Sequence, residues 1–258
     1  MALLAPVAGG CIVIEEQRRA PRDGSPSPSA PVEAPTADPL PLEPASDGGP
    51  VGSLGWALLS PEVAEAVVEV DTAGDASLSP EAAAAMEASL REHGAKAVGR
   101  APPGTVPAQD RYTASDLRAL REQHRSTHSG DGTVSVYVLA LPGSFERDGV
   151  PAVAFEATSF AVFVDEISSR LPPGANAAAF EAAVAVHEVG HLFGLVNGTG
   201  VGGFHEDPDH PRHARDDRSV MYWAVESPSL VEVFASGPPS DFTSDDRREM
   251  ERIRDQGP

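Results

Sequence analysis

Five of the chain's eight histidines fall between His187 and His213, and two of them stand in the run His187-Glu188-Val189-Gly190-His191. On a helix, side chains four residues apart share a face, so both imidazoles can reach one metal ion. Glu188 lies about 100° round the helix from His187, close enough to act as general base on a water at that ion without binding the ion itself. A hydrolytic centre of this kind takes three protein ligands and keeps one position open. The third donor must come from further along the chain, and the loop that follows offers His205, His210 and His213.

The flanking sequence predicts how these residues are positioned. Apart from Glu181, Ala177–Val186 is apolar, as a buried helix requires, and Gly194 stands where a left-handed residue would end the helix and turn the chain back toward the metal. This helix is expected from about Asn176 to Leu195. Thr133–Leu141 is β-branched and nearly continuous, which predicts a central strand buried on both faces. Val67–Val70 and Lys96–Ala101 read as further strands, the second stopped by Pro102-Pro103-Gly104. Two more are expected near Ala152–Ala157 and Phe160–Val164, and Pro151 suits the first residue of an edge strand. Ser79-Pro80 opens a helix to about His93. Thr113-Ala-Ser-Asp116 is a variant capping box for a helix to about Thr127. Ser244–Ile253 closes the chain as a helix with acids in its first turn. Strands alternating with helices predict an α/β sheet.

Together His187, Glu188, His191, Gly194 and the downstream Ser219-Val220-Met221-Tyr222 resemble the metzincin clan of zinc endopeptidases. The clan's pattern is H-E-x-x-H-x-x-G-x-x-H followed by a Met-containing turn. At the third ligand position this chain has Asn197, whose neutral amide oxygen is a weak zinc donor. The spacing from His213 to Met221 is closest to that of archaemetzincins, a branch that has Cys where Ala214 and Ser219 stand here. The resemblance therefore implies one catalytic zinc on His187, His191 and His213, with His205 and His210 as alternatives for the third place. A second, structural metal on His205, Asp207 and His210 is a lesser alternative.

The same resemblance implies peptide-bond hydrolysis in a peptide or protein substrate, with Glu188 as general base for a metal-bound water. Met221 would form an apolar floor under the ligand histidines. The implied fold is α/β (α+β): a twisted, mostly parallel five-stranded sheet with backing and active-site helices above a small irregular C-terminal lobe. Pro151–Ala157 would be the antiparallel rim of the cleft, able to bind an extended peptide as an added strand. The competing expectation, raised by Asn197, is a catalytically inactive metzincin-fold binding module on a lipoprotein tether.

Composition bounds the partners. Thirty-nine acidic against 19 basic residues give a net charge of −20, which argues against nucleic acid, because phosphate binding needs a basic footprint. A single cysteine, Cys11, rules out an intrachain disulfide. It ends a short apolar segment closing on small residues, which resembles the end of a bacterial lipoprotein signal with Cys11 as the lipidated residue. Nine of the 25 prolines lie between Pro21 and Pro50, so residues 12–50 read as an extended, disordered linker. The expected organisation is a signal-like segment at 1–11, that linker, and a metalloprotease domain at 51–258, with an upper lobe to 196 and a lower lobe from 197. A monomer outside the cytoplasm is expected, lipid-anchored through Cys11 or secreted. No apolar run is long enough to span a bilayer.

Overall fold

In a computed structural model the described residues are 47–94, 96–130, 132–171, 173–197, 203–226 and 237–256. Cys11 and the rest of residues 1–46, expected to be a signal-like segment and part of the linker, lie outside them. In chain order the upper part comprises α1 (Gly55–Leu59), β1 (Glu65–Ala73), α2 (Pro80–Gly94), β2 (Ala97–Arg100), β3 (Gly104–Val106), β4 (Arg111–Tyr112) and α3 (Ala114–His124). It continues with β5 (Thr133–Leu141), β6 (Ser144–Phe145), β7 (Ala152–Glu156), β8 (Ser159–Phe163), α4 (Val164–Arg170) and α5 (Ala177–Leu192). The lower part holds the short ribbon β9 (Glu206–Asp207) and β10 (His210–Ala214), a 3-10 turn at Trp223–Glu226, and α6 (Ser244–Gln256).

The central sheet runs β2-β1-β5-β8-β7 and is parallel except at β7, which lies antiparallel on β8 at the edge. It has six strands where five were expected. The Pro102-Pro103 break does not end the pairing: β2 lies along Glu65–Val68 of β1, and β3 resumes along Asp71–Ala73. Proline cannot donate to a ladder, so the chain leaves β1 for the prolines and returns after them. Gly104 makes the return fit, since its amide donates to Asp71 Oδ1 at 2.7 Å and a Cβ there would collide with that carboxylate.

β5 is buried on both faces for the reason its sequence suggests. Val134, Val136 and Val138 face one core with Met86, Leu90, Val184 and Val189 of α2 and α5. Tyr137, Leu139 and Leu141 face a second core with Leu117, Leu120 and Phe163. The capping residues act where their types predict. Ser79 Oγ accepts the Ala82 amide at 3.1 Å, and Thr113 and Asp116 form the reciprocal capping box. α3 ends at His124, short of the expected Thr127, because Arg125 leaves the helix to bury its guanidinium.

That guanidinium pairs with Asp47 at 3.1 Å, both side chains being fully buried, and also donates to Ser135 O and Thr158 Oγ1. Gly49 O accepts the Ala157 amide at 2.8 Å. Residues 47–50, read as linker, are thus packed against the β7–β8 hairpin. The chain's sole lysine, Lys96, is also buried, and its Nζ donates to Ala57 O, Ser60 O and Val63 O at 2.8–3.0 Å. Burial pushes its pKa down to about 8.

α6 docks through its acids. Asp246, in its first turn, accepts from Ser219 Oγ (2.7 Å) and Thr243 Oγ1 (2.7 Å) and lies 2.8 Å from His205 Nε2. Glu249 accepts the Gly203 and Val196 amides at 2.7 and 3.2 Å. Among the described residues no helix is long and apolar enough to cross a membrane.

Candidate metal centre

The motif sits on α5, whose residues from Ala183 to Leu192 are all buried. Asn176 Oδ1 caps its start by accepting the Ala179 amide at 3.3 Å, and Glu181 ties it to α2 by accepting the Ser79 amide at 2.7 Å. At the far end Gly194 takes φ +90° and Val196 φ +47°. The Leu195 amide donates back to Gly190 O at 3.1 Å, so the helix closes in a left-handed turn. Asn197 completes that closure. Its Nδ2 lies 3.3 Å from His191 O and 3.4 Å from Val51 O, so its side chain serves the helix end.

β10 lies beside the turn that carries Met221. The Ala214 amide donates to Met221 O at 2.8 Å, and Ala214 bridges to Tyr222. His213 is therefore fastened beside the turn that carries Met221. Met221 is fully buried under the motif, and a Cβ on Gly190 would overlap its sulfur. A glycine between the two histidines is what lets that turn approach.

His187 Nε2 and His191 Nε2 lie 3.1 Å apart. One donor atom from each of His187, His191, His213 and Glu226 lies within 4.8 Å of all the others. The Glu226 carboxylate is 3.6 Å from His187 Nε2 and 3.8 Å from His213 Nε2. None of these side chains, nor Glu188, is more than 1% exposed. His187 Nδ1 donates to Val220 O at 2.6 Å and His213 Nδ1 lies 3.1 Å from Pro211 O. A carbonyl can only accept, so Nδ1 carries the proton in each ring and the Nε2 lone pair faces the cluster.

Burial lowers the His187 pKa, and it lowers that of His191 well below the ordinary value with help from the neighbouring His187. Both rings are thus kept neutral, the form a metal ligand needs. Burial also raises Glu188 well above the usual carboxylate range, and the charge of Glu226 adds to it. Burial would raise Glu226 as well, but His187 and the adjoining Glu188 and His213 outweigh it and hold Glu226 ionised.

These residues fit a divalent cation. Both oxygens of Glu226, both of Glu188 and Nε2 of His213 are buried without a hydrogen-bond partner. A buried carboxylate left so costs several kcal/mol unless a cation answers it. A tetrahedral ion with donors at about 2.0–2.1 Å has donor–donor edges of about 3.3 Å. The 3.1, 3.6 and 3.8 Å separations straddle that edge.

Three solved structures are similar to this chain. Archaemetzincin from Methanopyrus kandleri is 16% identical with a TM-score of 0.48, covering 74% of this chain and 96% of its own. Archaemetzincin from Archaeoglobus fulgidus, complexed with malonate, is 16% identical with a TM-score of 0.42, covering 71% and 99%. A zinc-dependent peptidase from Methanocorpusculum labreanum is 14% identical with a TM-score of 0.45, also covering 71% and 99%. No family model matches the chain, and neither does any curated protein.

The three loop histidines part company. His213 joins the cluster, whereas His205 lies between Asp246 and Glu249 of α6. His210 lies 2.8 Å from Asp207 and stacks on Trp223 with ring centroids 4.3 Å apart. His205 and His210 thus have separate partners, and no shared site on His205, Asp207 and His210 is among the metal-competent groups of the described residues. Glu226 is the member that the sequence reading missed. Its one visible signal is a lone acid closing the apolar run Tyr222-Trp223-Ala224-Val225. β7 is the antiparallel edge strand of the sheet, but all five of its residues are buried, so the edge expected to pair with a peptide is covered.

Proposed function

We propose that the chain is a zinc-dependent endopeptidase, and that His187, His191 and His213 hold the ion. What supports this most is the convergence of three buried imidazoles from α5 and β10 on one point beside Glu188, two of them, His187 and His213, oriented by a backbone carbonyl at Nδ1. Zinc bound there would supply a Lewis acid that acidifies a water and polarises a carbonyl. Val220 and Pro211 keep the imidazole lone pairs aimed inward. Glu188, one residue on from His187 and buried beside the cluster, is the carboxylate placed to take a proton from that water and return it to the leaving amine. Met221 sets the depth of α5 above the Met turn.

The test is metal analysis with cleavage of an unfolded casein-type substrate. One zinc per chain is expected, with activity falling about 100-fold or more in a normally folded Glu188→Ala. One zinc without cleavage in any preparation would instead return the binding-module reading. The envelope location belongs to the same proposal: Cys11→Ala should move the protein out of the membrane fraction, and unchanged fractionation would remove the lipid anchor.

A further inference from the structure

We infer that Glu226 is a fourth protein ligand, so that the resting centre is closed and its open position exists only once Glu226 is displaced. This rests on the zinc reading above and goes beyond it, because a hydrolytic site needs one position free of protein. The Glu226 carboxylate faces two of the three histidines, with Oε1 3.6 Å from His187 Nε2 and Oε2 3.8 Å from His213 Nε2, and it belongs to the same cluster of donor atoms as His191. Neither of its oxygens has another partner, although the side chain is fully buried. A carboxylate enclosed in this way calls for a cation beside it.

The placement of Glu226 also suits a ligand that leaves. His187 and His191 share one rigid, buried helix, and His213 is fastened to the Met turn through Ala214. Glu226 ends the 3-10 turn Trp223–Glu226, an element separate from α5 and β10, which carry the other three. Glu188 is sealed by the same closure, being fully buried with no hydrogen-bond partner for either oxygen. Displacing Glu226 would both free a coordination position and part the two carboxylates. A bidentate anionic ligand such as a hydroxamate is the probe chemistry that competes with a carboxylate for that position.

The experiment loads the full-length protein with one equivalent of Co2+ and follows its d–d absorption during titration with acetohydroxamate. The wild-type spectrum should stay unchanged at millimolar hydroxamate, while Glu226→Ala and Glu226→Gln should respond. Both variants should also release zinc to a chelator about 10–100-fold faster, at least the loss seen when supporting residues of metal sites are removed. A wild-type spectrum that shifts as readily as the variants', or variants with wild-type zinc release, would overturn the assignment. The wild-type titration decides the point even if neither variant folds. A wild type that takes up no metal removes the zinc reading together with this one, whereas a metal-loaded wild type that responds to hydroxamate removes this one alone.

Discussion

Gly190→Ala tests whether the approach of Met221 to α5 is as tight as its geometry implies. A Cβ built there overlaps Met221 Sδ and lies 3.0 Å from Phe242 Cε1, whereas carbon contacts relax at about 3.5–4.0 Å. Met221 is flexible in general, but here it is fully buried and cannot swing into solvent. Overpacking of this kind costs about 1–3 kcal/mol. Against it, alanine in place of a mid-helix glycine contributes about 1 kcal/mol. The net expectation is a loss of up to about 2 kcal/mol, with weakened zinc binding because α5 must lift from the Met turn. Urea unfolding of Gly190→Ala, Met221→Ala and the double variant closes a thermodynamic cycle. Met221→Ala alone should cost about 2–5 kcal/mol, and the double variant should be more stable than the sum of the singles by about 1–3 kcal/mol. Additivity within about 0.5 kcal/mol, or a Gly190→Ala protein more stable than wild type, would refute the argument.

Other perturbations follow from the same contacts. Asp47→Ala strands the buried Arg125 guanidinium and should destabilise by about 3 kcal/mol, the lower end for a broken buried pair, since Ser135 O and Thr158 Oγ1 still receive it. Wild-type stability after that change would show the 47–50 segment to be dispensable. Lys96→Met removes the ammonium donor from three buried carbonyls, of which Ser60 O keeps the Val63 amide, and should cost about 2 kcal/mol or more in urea unfolding. Burial opposes the charge of His205, but Asp246 and Glu249 outweigh it and raise its pKa. With the folded value raised, its contribution is whole below the ordinary range near about 6.5 and is lost as pH climbs through the raised value. The stability gap between wild type and His205→Gln should therefore be wider at about pH 5.5 than at about pH 9, and equal gaps would contradict the pairing.

The helix carrying His187 and His191 was legible because period, apolar burial and a terminal glycine all agree over one short stretch. β5 was legible because an unbroken β-branched run has few other fates. The six-stranded sheet was not: Pro102-Pro103 signals a stop, and only the pairing of Gly104–Val106 with β1 shows that the strand resumes. Asn197 illustrates a different limit. The clan's pattern puts a ligand at this position, and in the fold its amide caps the preceding helix. Glu226 escaped notice because its neighbours in space, His187 and His213, come from α5 and β10, and no fixed spacing links the three. The acids of α6 read as partners for a helix dipole, yet Asp246 and Glu249 are buried fasteners of the lower part, because amides and a histidine far back in the chain come to meet them.

The grip on Lys96 reaches beyond folding energetics. With the only ammonium side chain of the sequence held inside by three oxygens, amine-directed reagents find no lysine on the surface of the native molecule. Acylation of that one residue would count excursions in which the wall around α1 comes apart. Mass spectrometry of a single tryptic site could then time the breathing of this protein without any engineered label.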